Sequence, residues 1–195
     1  MGNLQLPEME AAERRMNVAQ AIAHWLADKE ITHAFGIVGG GNVAIWDAIT
    51  RLAKTRLVSV HHEQAAAMAA SYYYRTSGRL ALCLVTTGAG SANAITGVLA
   101  AWMDHVPLIV ISGNEPSRFF GEIDVTRVHG TQGYDSARVA KPFTKFASQM
   151  KMNVHLTPAY LYRELDGLRS EALEGSPGPV WLDIPKDLQN AVLLA

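Results

Sequence analysis

Three short apolar runs constrain this chain most: Leu80 to Val85, Pro107 to Ser112 and Val180 to Ile184. Each is short for a helix and nearly free of polar residues. Strands of that kind occur where helices cover both faces of a parallel sheet. The intervening segments read as helices. Within Asn17 to Lys29, Val18, Ile22, Trp25 and Leu26 recur at helical spacing. Further strands are expected at Thr32 to Val38, Arg56 to Val60 and Phe143 to Gln149. Further helices are expected at Val43 to Ala53 with Asn42 as cap, Gln64 to Thr76 closed by Gly78, Ala92 to Met103, and Thr157-Pro158 to Glu174. This alternation predicts an α/β fold: an open, mostly parallel, doubly wound sheet with helices on both faces. The long polar stretch Gly113 to Lys141 has weak periodicity, which marks functional loops or short elements.

The expected organisation is a leader over residues 1–15 and a single domain over 16–190. Hydrophobic residues make up 49% of the chain, enough for a large core. The net charge of −1, without charge runs, gives no electrostatic case for nucleic acid or an anionic membrane. No apolar run of about 18 residues is present, and Met1 to Glu13 lacks the apolar region of a signal peptide. The expectation is a soluble, cytoplasmic protein. Cys83 is the only cysteine and sits in an apolar strand, which reads as core packing.

Glu63 stands between a strand's carboxyl end and a helix's first turn. Ligands bind at such positions in open α/β sheets. A carboxylate there also offsets the positive end of the helix dipole. Gly88-Ala89-Gly90 follows a strand, but Asn93 stands where a dinucleotide fingerprint needs glycine, and no Walker lysine follows. The seven histidines form no zinc-type spacing. His61 and His62 would point to opposite faces if they continued a strand. Ser91 does not complete a nucleophile elbow.

Taken as a set, several motifs resemble one family. They are Gly36-Ile37-Val38-Gly39-Gly40; His62-Glu63-Gln64 leading into Ala65 to Tyr74; Thr86-Thr87-Gly88-Ala89-Gly90-Ser91-Ala92-Asn93; Met103-Asp104-His105-Val106-Pro107; Lys141-Pro142-Phe143-Thr144-Lys145; and Gly178-Pro179-Val180-Trp181-Leu182-Asp183-Ile184-Pro185-Lys186-Asp187. From Val18 to Leu188 the chain resembles the N-terminal, pyrimidine-binding domain of thiamine-diphosphate-dependent enzymes of the acetolactate synthase-like branch.

The resemblance implies that Glu63 hydrogen-bonds a ring nitrogen of the cofactor's aminopyrimidine and so promotes loss of the thiazolium C2 proton. It implies a second catalytic role for Gln132, facing the thiazolium and substrate. Gly39, Gly40, Thr87, Gly88 and Asn93 match family positions near the pyrimidine or the active-site floor, and Val38 in the same turn is expected to line the cofactor with them; turn geometry explains these residues at least as well. His129 reads as a loop histidine or as an acid or base in the substrate channel. Val38 and Ala89 replace prolines common in the family, and Thr131 replaces a bulky phenylalanine beside the glutamine. That last change makes the active-site wall smaller and more polar.

In the family, a Gly-Asp-Gly motif with following asparagines holds Mg2+ and the diphosphate. This sequence has no Gly-Asp-Gly. The resemblance therefore implies half a site, with no metal ligand here and Mg2+ held by a partner chain. The expected protein is the small subunit of a split thiamine diphosphate enzyme, in a heterotetramer or larger assembly, that decarboxylates a 2-oxo acid and ligates the product to an acceptor. The alternatives are an isolated domain of a longer enzyme, or a non-catalytic assembly module of the same fold.

Overall fold

The computed structural model describes residues 16–52, 54–120, 127–151 and 156–194. The expected leader, residues 1–15, lies outside the described residues. The chain alternates as expected. Helix α1 (Val18–Asp28) leads to strand β1 (His33–Gly36), helix α2 (Val43–Leu52) to β2 (Arg56–Ser59), α3 (Glu63–Ser77) to β3 (Leu82–Val85), and α4 (Ala89–Met103) to β4 (Leu108–Asn114). A short helix α5 (Ser136–Ala140) precedes β5 (Phe146–Gln149), and α6 (Pro158–Leu173) precedes β6 (Pro179–Pro185) and α7 (Lys186–Gln189).

Among the described residues the six strands form one sheet, all parallel, in the order β2-β1-β3-β4-β6-β5. The apolar runs are its centre. Leu82, Leu84, Ile109, Ile111, Val180, Leu182 and Ile184 face a core closed by α1, α2 and α6. Cys83, Val85, Leu108, Val110 and Trp181 face the other core, closed by α3, α4 and α5. Alternate residues of one strand thus feed two cores, which is why these strands carry almost no polar positions.

Local chemistry sets most boundaries. Asn17 and Gln20 form a reciprocal capping box at the start of α1. Gly78, at φ 70°, ends α3 in the left-handed conformation that glycine adopts freely. Thr157 caps α6 and Pro158 opens it.

Several expectations are corrected. Helix α4 begins at Ala89 and not at Ala92, because Gly88 turns the chain sharply enough to start it early. Phe143 belongs to a 3-10 turn over Lys141–Phe143, and β5 starts at Phe146. Strand β1 stops at Gly36, before the glycine turn. Asn42 does not cap α2 with its side chain. The side chain folds back, accepting from Gly39 N–H (2.8 Å) and donating to the Ile37 carbonyl (3.0 Å). Neither His61 nor His62 is in a strand, since β2 ends at Ser59 and His62 caps α3. The polar stretch after β4 holds a 3-10 turn (Ser117–Phe119), a bridge between His129 and Gly133, and α5.

Candidate functional site

The strand order sets the location. From β1 the chain moves outward to β2; from β3 it moves the other way to β4. The turns after β1 and β3 therefore diverge, and their crevice lies at the switch point where such sheets bind ligands. Both glycine turns are there. They pack directly on each other: Gly41 N–H donates to Thr86 Oγ1 at 3.0 Å. A Cβ on Gly39 would lie 2.6 Å from Thr86 Oγ1. Gly40 meets open space, and Val38 is exposed beside it. Thr87 is buried, and its hydroxyl donates to the Gly113 carbonyl at 3.3 Å.

Glu63 is the first residue of α3 and only 8% exposed. Its Oε2 accepts a hydrogen bond from Asn93 Nδ2 at 3.0 Å. Among the described residues no donor engages Oε1. Gly90, in the first turn of α4, leaves the space in front of that oxygen: a Cβ there would stand 3.2 Å from it. The helix N-terminus stabilises the carboxylate, and the His62 imidazole, accepting from Gln64 N–H at 3.2 Å, completes the cap. The site is thus an oriented carboxylate with one oxygen committed and the other free to meet a ligand donor.

Gln132 reaches the same crevice from a different part of the chain. Gly88, at φ 67°, lies against it: a Cβ on Gly88 would fall 2.8 Å from the Gln132 carbonyl oxygen. Gly88 is therefore required twice, for its positive φ and for this close approach. The Gln132 side chain is exposed. Glu63 thus meets Asn93, Gly90 lies against both Glu63 and Thr86, Gly39 packs on Thr86, and Gly88 lies against Gln132; Thr87 instead turns its hydroxyl to Gly113. His129 differs. It is buried, its Nδ1 pairs with the Phe119 carbonyl at 2.8 Å, and its ring stacks on Phe120 at 4.7 Å. Those contacts fit the loop-histidine reading. His33 packs on Tyr73, and His24 is exposed. Among the described residues no three metal-ligating side chains cluster, and no helix is long and apolar enough to cross a membrane.

Two further residues stand close by, one of them, Asp183, inside the Gly178–Asp187 motif. Tyr134 hydrogen-bonds Ser91 Oγ at 3.0 Å, beside Gly88. Asp183 is fully buried, and burial pushes its carboxyl above the ordinary range against four side-chain donors that pull it down. Its signal in the sequence was an acid inside an otherwise apolar strand.

The fold and this crevice define a cofactor-binding domain, and the chain belongs to the thiamine pyrophosphate enzyme family: residues 16–139 match its N-terminal TPP binding domain. Its relatives include large subunits of acetolactate synthase. It is 33% identical over 189 residues to that of isozyme 1 of Escherichia coli (strain K12), covering 93% of this chain and 30% of that protein. It is 36% identical over 183 residues to that of Corynebacterium glutamicum, covering 94% and 28%, and 34% identical over 177 residues to that of Haemophilus influenzae, covering 91% and 29%. The chain spans less than a third of the length of these curated relatives. The residues present fit the family's cofactor. The uncommitted Glu63 Oε1 suits a ring nitrogen, and Gly88 and Gly90 leave room that a Cβ would fill.

Proposed function

We propose that this chain is the pyrimidine-binding subunit of a split thiamine-diphosphate-dependent enzyme with acetolactate synthase-like chemistry. It supplies Glu63 for 2-oxo acid decarboxylation and carboligation, and a partner chain holds the diphosphate and Mg2+. One observation carries the reading: a buried carboxylate at the switch-point crevice, oriented by Asn93 through one oxygen and open at the other.

When bound, thiamine diphosphate supplies the electron sink for decarboxylation. Glu63 would hold a proton at its Oε1 for a ring nitrogen of the cofactor's pyrimidine. Shielding from water strengthens that hydrogen bond. Asn93 keeps the carboxylate from rotating. Val38, Gly39, Gly40, Thr87 and Gly88 would hold the pyrimidine side of the cofactor, and Gln132 would face the substrate. Thr131 gives the adjoining wall a small polar side chain, so acetolactate itself is not part of this reading.

The test is to capture this chain from its native host and identify what accompanies it. Recovery with a Gly-Asp-Gly chain, bound thiamine diphosphate and 2-oxo acid decarboxylation is expected. In that complex Glu63→Gln should cut turnover sharply while the melting temperature holds. Recovery of the chain alone, with no cofactor and no such activity, would sink the proposal.

A further inference from the structure

The segment that carries Gln132 is held unusually firmly for a loop. His129 and Gly133 exchange backbone hydrogen bonds in both directions, at 2.9 and 2.8 Å, leaving Thr131 and Gln132 exposed at the tip. Gly130, at φ 62°, turns the chain there. The loop base sits flush on the end of β4. A Cβ on Gly133 would meet Glu115 Cγ at 2.8 Å and Asn114 Oδ1 at 3.0 Å, so no other residue fits without a shift.

Beyond the base the chain is fastened twice. The Tyr134 carbonyl accepts from Asn114 Nδ2 at 2.9 Å. The Tyr134 hydroxyl meets Ser91 Oγ at 3.0 Å, and Ser91 Oγ also lies 3.0 Å from the Gly88 carbonyl, which it bonds. Gly88 is the residue on which Gln132 rests. The loop is therefore clasped to the turn that bears it.

Asn114 is in turn pinned from below. Its Nδ2 also donates to Asp183 Oδ2 at 2.8 Å, where Gln149 Nε2 donates at 2.8 Å. Asp183 Oδ1 accepts from Ser112 Oγ at 2.5 Å and Ser136 Oγ at 2.6 Å. The donors come from β4, β5 and the start of α5, so one carboxylate on β6 ties three elements together. Burying a carboxylate without donors is costly, which makes this arrangement all-or-none.

We propose that Tyr134 and Asp183 are positioning residues for Gln132: Asp183 through Asn114, and Tyr134 through Ser91, fix the Gln132 loop against Gly88. The inference rests on the reading of Gln132 as a substrate-facing side chain. Their work is separate from that of Glu63, which is held by Asn93. With the cofactor bound, the two sets would act apart: Glu63 would hold the proton at its Oε1 toward the pyrimidine, and Gln132 would meet the substrate.

The test uses the assembled complex with Tyr134→Phe, Asp183→Asn, Gln132→Ala and Glu63→Gln. Three quantities are read: amide hydrogen exchange over residues 129–135, kcat and KM for the 2-oxo acid, and hydrogen–deuterium exchange at C2 of bound thiamine diphosphate. Tyr134→Phe removes one hydroxyl and no core volume. It is expected to raise amide exchange in the loop severalfold and to lower kcat about tenfold, the effect of one hydrogen bond, with C2 exchange within about twofold of the parent. Asp183→Asn should do the same more strongly; if it does not fold, Tyr134→Phe alone decides. Unchanged loop exchange and kcat in Tyr134→Phe overturn the proposal. So does a fall in kcat matched by an equal fall in C2 exchange, since that effect runs through Glu63. The underlying reading fails in a different place: there Gln132→Ala keeps full kcat, or Glu63→Gln keeps full C2 exchange.

Discussion

Glu63 Oε2 and Asn93 Nδ2 meet at 3.0 Å, joining the start of α3 to α4 across the switch-point crevice. The bond fixes which carboxylate oxygen is free. A hydrogen bond to a charged group contributes roughly 1.5–3 kcal/mol. In the enzyme proposed above, Asn93→Ala should therefore lower kcat on the order of ten- to hundredfold and lower the melting temperature by roughly 3–10 °C. Steady-state kinetics beside a thermal melt check this. An unchanged kcat would remove the orienting role from Asn93.

The crossing of α3 and α4 depends on Gly97. A Cβ there would lie 2.6 Å from Ala67 Cβ and 3.0 Å from the Gln64 carbonyl oxygen. Alanine is the better helix former by about 1 kcal/mol, so an open site would gain stability. Here the contact should win, and Gly97→Ala should destabilise by about 1–3 kcal/mol as the helices are forced apart. Urea unfolding measures it, and a raised midpoint is the contrary result.

Asp187 at the start of α7 accepts from Ser117 twice, from its N–H at 2.8 Å and its hydroxyl at 2.6 Å. Burial alone would raise this carboxyl, but the Ser117 bonds and its helix-start backbone N–H groups outweigh it and hold it below its ordinary value of 3.8. A depressed folded value means that the unfolded chain binds the proton more readily. Its contribution is thus full above 3.8 and lost as pH falls through the folded value. The melting-temperature gap between the parent and Asp187→Asn should be widest near neutral pH and close in acid. A gap that persists unchanged in strong acid contradicts this account.

Cys83 lies in β3 with no exposure. Burial, with a smaller push from the Glu63 charge, raises its thiol far above the ordinary range. The thiolate is the reactive form. A disulfide-exchange reagent at mildly alkaline pH should leave the folded chain unmodified and titrate one thiol on unfolding in denaturant. Prompt reaction of the folded chain would show that β3 opens readily.

The layered fold was legible because its signals are local. Apolar runs marked strands with two covered faces, and helical spacing marked their covers. Glu63 was legible as a candidate from its place between strand and helix. The start of α4 was not, because the positive φ at Gly88 that opens it three residues early leaves no mark in the apolar spacing. The elements within the polar stretch after β4 were also hidden, since a bridge between His129 and Gly133 leaves no periodic trace.

Propensity and periodicity act over a few neighbouring residues, so the alternation of strands and helices, the two faces of the sheet and the residues able to end or cap a helix are written in the sequence. What each polar group meets is settled only when the strands assemble. Asn93 reaches Glu63 across 30 residues, and Asp183 gathers donors from 34 to 71 residues away. Those pairings follow from the crossover order of the strands, which brings distant segments to one crevice, and from the cost of leaving a buried polar group unpaired there.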